Sequence, residues 1–204
     1  MPNIIKADPA APDVTGMVVN QGGIDEADYQ ALKGHLRDYR YVLIAKLLRC
    51  TGVPISELLR LTPLHLEKSG PSYSLLIRRG KQSCKRDPSF DQVFLPPELG
   101  LELDGFIKGN GIKPGQYIFK GQKEGQHLCR RSVVHAFNEA SERLGVRITP
   151  HSLRHLYSTS LIDKGMPTGV VAKLLGHADE RTVLAWYYGL TREKRRLIGE
   201  SIRP

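Results

Sequence analysis

Only one stretch of this chain has the character of a β-sheet, and it limits the fold to a mainly helical one. Residues 72–79 (SYSLLIRR) read as a strand, 80–89 as a basic turn, and 92–95 (QVFL) as the returning strand, closed by Pro96-Pro97. Most of the remainder carries helical spacing. Residues 25–36 are weakly amphipathic, with Asp25 or the neighbourhood of Gly23 as the start. Residues 38–50 place apolar side chains at 42, 43, 44, 47 and 48. Thr51-Gly52 breaks that helix. Pro54 stands where a new one begins, carrying Leu58, Leu59 and Leu61 and stopping near Pro63. A helix is expected over 98–107, a glycine-rich loop over 109–115 and a short strand over 117–120. From Arg130 the pattern is helical to the end, over 130–144, 151–164, 167–176, 179–187 and 191–201, with Gly165, Gly176 and Gly189 as stops. The expected class is therefore mainly α with a small antiparallel β-sheet (α+β), without internal repeats.

Composition agrees with one domain of ordinary size. The 204 residues are 40% hydrophobic and 25% charged, which excludes collagen-like and fully disordered classes. No uncharged apolar run approaches the ~18 residues of a membrane span, and the opening MPNIIKADPAAPD, with Asp8 and Asp13, is not a secretory signal. Cys50, Cys84 and Cys129 are too few and too scattered for a disulfide framework or a zinc cluster, so a reducing cytoplasmic setting is expected. Residues 1–23 read as a tail or linker and 24–204 as the domain. The net charge of +9 is uneven: 1–40 hold four basic and six acidic side chains, so the excess lies in the body of the domain. A positive face of that kind attracts a polyanion.

Three short motifs bring the chemistry into focus. His151-Ser-Leu-Arg154 opens a helix, Leu175-Gly176-His177 closes another, and Trp186-Tyr187-Tyr188 follows, with Tyr187 ten residues and Tyr188 eleven residues after His177. Arginine offers a fixed fork of donors to phosphate oxygens. Histidine donates a hydrogen bond or moves a proton near neutral pH. A tyrosine oxygen can attack phosphorus and hold a strand covalently, and a lysine can protonate a leaving oxygen. Plainer roles exist for each: a helix cap for His177, a surface ion pair for Arg154, core packing for one of the aromatic residues, and a solvated hairpin for the cluster Arg78, Arg79, Lys81, Lys85 and Arg86. His151 and His155 lie one helical turn apart, but no third metal ligand accompanies them, and neither metal nor cofactor is expected.

The order and spacing of these motifs resemble the catalytic domain of the tyrosine recombinases, the phage integrase family, from about residue 25 to the C-terminus. Thr51-Gly-Val-Pro-Ile-Ser-Glu-Leu58 looks like the family's first box, and Arg79-Gly-Lys-Gln82 looks like the hairpin turn that carries its lysine. The resemblance implies site-specific DNA breakage and rejoining through a 3′-phosphotyrosine intermediate. Tyr187 would be the nucleophile, with Tyr188 as the alternative. Arg154 would clamp the phosphate, His151 and His177 would handle hydrogen bonds and protons, and Lys81 would be the general acid. Arg78, Arg79, Lys85 and Arg86 are the expected DNA contacts. Double-stranded DNA is the expected partner, with self-association on DNA through the basic segment 190–204, no membrane, and a cytoplasmic, nucleoid-associated location.

Two departures qualify the expectation. The first box of the family carries an arginine where this chain has Pro54. Losing one preorganised donor at a transition state costs ~2.7–4 kcal/mol, or about 10²–10³ in rate. Either Arg49 or Arg60 compensates, or the chain is a noncatalytic or impaired DNA-binding protein of the same fold. A topoisomerase-like relaxing enzyme and a basic helical interaction domain are the remaining alternatives. The resemblance also implies a further helical DNA-binding domain ahead of this one, which residues 1–24 are too short to supply. The chain is expected either to be a piece of a longer protein or to grip DNA from one side.

Overall fold

A computed structural model describes residues 23–78 and 90–176. In chain order the elements are α1 (Glu26–His35), α2 (Tyr39–Thr51), α3 (Ile55–Leu58), a 3₁₀ turn (Pro63–His65), β1 (Leu66–Ser69), β2 (Ser72–Arg78), β3 (Phe90–Leu95), α4 (Pro97–Gly109), α5 (Arg130–Leu144), α6 (Pro150–Asp163) and α7 (Thr168–Leu174). The class is the expected mainly helical α+β arrangement.

The chain's local chemistry explains most of the boundaries. Asp25 caps α1 in a reciprocal box with Asp28 (2.9 and 3.1 Å), meeting the free amides of the first turn. Asp38 caps α2, and Gly52 ends it in the left-handed region. Between them, Leu43, Ile44, Ala45, Leu47 and Leu48 are buried, which makes α2 the central rod of the core. It packs against α6, α4 and β3.

The sheet is an antiparallel meander in the order β1-β2-β3. Its middle strand buries Tyr73, Leu75 and Ile77 on one face, as the period of two requires. That face receives α4. Gly100 makes the approach possible, because a Cβ there would lie 2.2 Å from the Tyr73 ring. On its other side α4 is pinned to α2 through Glu102, which accepts from Lys46 Nζ at 2.6 and 2.8 Å and from the Tyr39 hydroxyl. The hydrogen bond to Glu102 pushes the Tyr39 hydroxyl up to about 12.

Three expectations need correction. The helix starting at Pro54 is a single turn, with Pro54 as its N-cap rather than its first residue. It ends at Leu58, the chain continues through turn bonds from Arg60 and Leu61 to Glu57 and Leu58, and Thr62 is then extended (φ −117°, ψ 165°), the conformation favoured before proline. β1 was not anticipated: its residues, Leu-Glu-Lys-Ser, form an exposed edge strand without apolar alternation. The strand expected over 117–120 reduces to one bridge between Lys120 and His127, although Ile118 and Phe119 are fully buried and stitched to Leu61 and Leu128 by backbone bonds of 2.8 and 2.7 Å. The helices expected over 179–187 and 191–201, the turn over 80–89 and the tail over 1–23 lie outside the described residues.

The segment joining α5 to α6 is fixed by a buried side chain. Ser141 Oγ donates to the Ile148 carbonyl at 3.0 Å and accepts from the Ile148 amide at 2.9 Å. Ser141→Ala leaves both backbone groups unpaired in the interior and is expected to lower stability by about 1–3 kcal/mol, measurable by urea denaturation. The α2–α4 pin gives a second expectation. Burial alone would raise the Glu102 carboxyl, but the bonds from Lys46 and Tyr39 outweigh it and hold its pKa below the ordinary value. The native state therefore binds fewer protons at this site than the unfolded chain. The stability it contributes is present above about pH 4.5 and is lost as pH falls through the folded-state pKa. Glu102→Gln should flatten that part of the stability–pH curve.

Candidate active site

Where the α2–α3 turn, the 3₁₀ turn, the end of β2 and the helices α5 to α7 meet, they leave a cleft of about 1270 Å³. Its charged lining is Arg60, Arg78, Arg130 and Arg154 against the single acid Glu57, with His65 and His151 beside them. Positive charge therefore gathers on segments that are far apart in sequence.

Arg154 sits at the inner end. It lies one helical turn after His151, so the two share a face of α6. The first turn of that helix is set by Thr149, whose Oγ1 accepts from the Ser152 amide at 3.1 Å while its own amide donates to Ser152 Oγ at 3.2 Å. Arg154 is 8% exposed. Its Nη1 donates to the Gly52 carbonyl, and its Nη2 donates to the Leu175 carbonyl at 2.6 Å. The guanidinium thus ties the first box to the Leu-Gly-His box.

Gly52 is required at this junction for two reasons. Its φ of 61° lies where only glycine is at ease. A Cβ would also come within 2.4 Å of the Tyr157 ring and 2.8 Å of the Leu175 side chain. Pro54 borders the cleft two residues on.

His151 is open to the cleft, where its ring meets that of His155 edge to face, with centroids 4.4 Å apart. Partial burial lowers its pKa below the ordinary imidazole value, and the charges of Arg154 and Arg130 push in the same direction. At neutral pH the ring is held neutral, able both to donate and to accept a hydrogen bond. Among the described residues no cluster of three or more His, Cys, Asp or Glu side chains could hold a metal ion.

Of the two arginines expected to compensate for Pro54, only Arg60 lines the cleft. Arg49 is turned toward α1, where its Nε and Nη2 donate to Glu26 Oε2 at 3.1 and 2.9 Å. Its charge is already matched there, so its expected role at the phosphate is withdrawn. Arg78, at the end of β2, faces the cleft. Arg79, Lys81, Lys85, Arg86, His177, Tyr187 and Tyr188 lie outside the described residues.

Sequence reasoning missed Arg130, His65 and Tyr117 as cleft residues. A signal for Arg130 was available: Arg130-Arg131 opens α5 with no acid in the first turn and no side-chain cap from Cys129. Two cations at a helix N-terminus oppose the macrodipole, at about 0.3–1 kcal/mol each, and such a placement calls for an explanation.

This cleft lies on a chain whose residues 24–194 match the phage integrase family, and the chain belongs to that family. It is 28% identical over 143 residues to the tyrosine recombinase XerA of Pyrococcus furiosus, covering 69% of this chain and 47% of that one. It is 24% identical over 199 residues to the XerD recombinase of Bradyrhizobium diazoefficiens, covering 94% of this chain and 61% of the relative. The chain spans about half the length of the first curated relatives it matches. Its fold is that of a crystallised XerA recombinase, with a TM-score of 0.71 at 21% identity, covering 89% of this chain and 65% of that one. It is also that of the XerH site-specific recombinase bound to its difH substrate, with a TM-score of 0.67 at 19% identity and coverages of 81% and 50%. Among the described residues no helix is long and apolar enough to cross a membrane.

Two measurements check this geometry. Gly52→Ala should lower stability and displace Arg154, because both the backbone conformation and the space for a Cβ are unfavourable; a crystal structure or the melting temperature reads the change. In an NMR titration His151 should protonate below about 6.5, its ordinary value. The neutral native ring binds fewer protons than the unfolded one, so stability falls as pH drops from that value through the folded-state pKa.

Proposed function

We propose that this chain is the catalytic domain of a site-specific DNA recombinase that cuts and rejoins one strand at a time through a 3′-phosphotyrosine link. The observation that carries the proposal is the fixed Arg154 guanidinium, bound to the carbonyls of Gly52 and Leu175 in a basic cleft beside a neutral His151. Family membership supports the same chemistry.

In this reading duplex DNA lies across the cleft, and Arg154 offers its charge to a nonbridging oxygen of the scissile phosphate. The Tyr187 hydroxyl gives up its proton and attacks phosphorus. The bond from phosphorus to the 5′-oxygen breaks, and that oxygen takes a proton from Lys81. The strand is left joined to the enzyme through its 3′-phosphate. A 5′-hydroxyl then attacks the phosphotyrosine, reforms the phosphodiester and returns the tyrosine, so no external energy source is consumed. His151 and His177 hydrogen bond the phosphate oxygens and pass protons. Arg78, Arg79, Lys85 and Arg86 hold the backbone of the duplex, and segment 190–204 docks on a neighbouring copy. Such a protein would work where chromosomal DNA is, in the cytoplasm and associated with the nucleoid.

Pro54 favours a second reading, in which the protein binds DNA but cleaves it slowly or not at all. A covalent protein–DNA band on nicked suicide duplexes separates the two. With cleavage, Tyr187→Phe should abolish the adduct and spare affinity; an adduct that survives there and vanishes in Tyr188→Phe moves the nucleophile by one residue. In both readings affinity for duplex DNA should fall steeply with salt as counterions are released. The double substitution of Lys85 and Arg86 by alanine should flatten that dependence.

A further inference from the structure

The cleft contains a cation that neither the family's motifs nor the sequence reading assigned. Arg130, at the start of α5, is exposed, lines the same cleft as Pro54, Arg154 and His151, and makes no hydrogen bond or ion pair among the described residues. Its position at a helix N-terminus is unfavourable by itself, and no carboxylate in that first turn offsets it. A bound anion would. Arg60 and Arg78 are the other exposed arginines on the cleft wall. Arg130 is distinguished from both by its nearness to the phosphate-handling motif: its charge acts on His151 together with that of Arg154. A phosphodiester beside His151 therefore has Arg154 beneath it and Arg130 within electrostatic reach, while the first-box position is an uncharged proline.

We infer that Arg130 supplies the second guanidinium on the scissile phosphate, taking over from another element of the fold the role left empty at Pro54. The inference rests on the recombinase reading and deepens it. Arg130 binds the nonbridging oxygens and stabilises the extra negative charge they carry as the tyrosine oxygen adds. No proton is transferred by it.

The test uses the full chain and a library of nicked suicide duplexes tiled from the genome of its source organism, followed by single-turnover cleavage of the duplex that is captured. Arg130→Ala should slow adduct formation by ~10²–10³-fold, the usual loss for one preorganised donor, while lowering DNA affinity only a few-fold. Arg131→Ala, one residue along α5, should keep the wild-type rate. A duplex whose scissile phosphate is an uncharged methylphosphonate should restore Arg130→Ala to within ~10-fold of wild type, since the charge that the guanidinium neutralises is then gone. A merely structural role for Arg130 would not respond to that replacement. Pro54→Arg in the Arg130→Ala background should also recover part of the rate. Wild-type cleavage that persists in Arg130→Ala overturns the inference alone, as does loss of cleavage in Arg60→Ala with Arg130→Ala intact. Absence of an adduct from wild type on the whole library overturns the recombinase reading and this inference with it.

Discussion

The pair of hydrogen bonds that Arg154 donates to the carbonyls of Gly52 and Leu175 organises the functional half of this molecule. An arginine that is 8% exposed must satisfy its donors inside the protein. Here it does so with the ends of two helices, α2 and α7, whose terminal carbonyls lack intrahelical partners. One side chain thus closes two helix C-termini and is itself oriented by them. The left-handed Gly52 turn, the close contact of Tyr157 with that turn and the capping of α6 by Thr149 all serve this junction.

The first box and the Leu-Gly-His box meet at that junction through their backbones. Gly52 contributes a carbonyl, a φ of 61° and the absence of a Cβ. Leu175 contributes a carbonyl and an apolar side chain. A chain can therefore keep the form of the site after exchanging a charged side chain in the first box for proline, because what holds Arg154 is the path of the main chain. Pro54 is compatible with that path: at φ −57° and ψ 138° it leads into α3 without needing its own amide.

The helices with a clear apolar stripe, α2 and α5, were legible in the sequence to within a residue or two, as was the β2–β3 pair. The edge strand β1 was not, since an exposed strand needs no alternation and is recruited by its neighbour's backbone. The His-x-x-Arg motif was legible because its members are local and share a helix face. Arg49 misled because proximity in sequence to Pro54 says nothing about direction, and the helix turns that side chain toward Glu26 on α1. Arg130 was overlooked for the converse reason. It lies 76 residues from Pro54 in the chain, and only the tertiary packing of α5, against α1 and α6, brings it to the same cleft.

The attachment of α7 has a consequence for the seat of Arg154. Among the described residues its buried contacts form a cluster of Val171, Ala172 and Leu175 against Tyr157, Leu161, Ile162 and Met166, separate from the main core. The end of α7 brings the Leu175 carbonyl to Arg154, and the end of α2 brings the Gly52 carbonyl. The seat of Arg154 therefore draws on two separate packing units, one in the main core and one outside it.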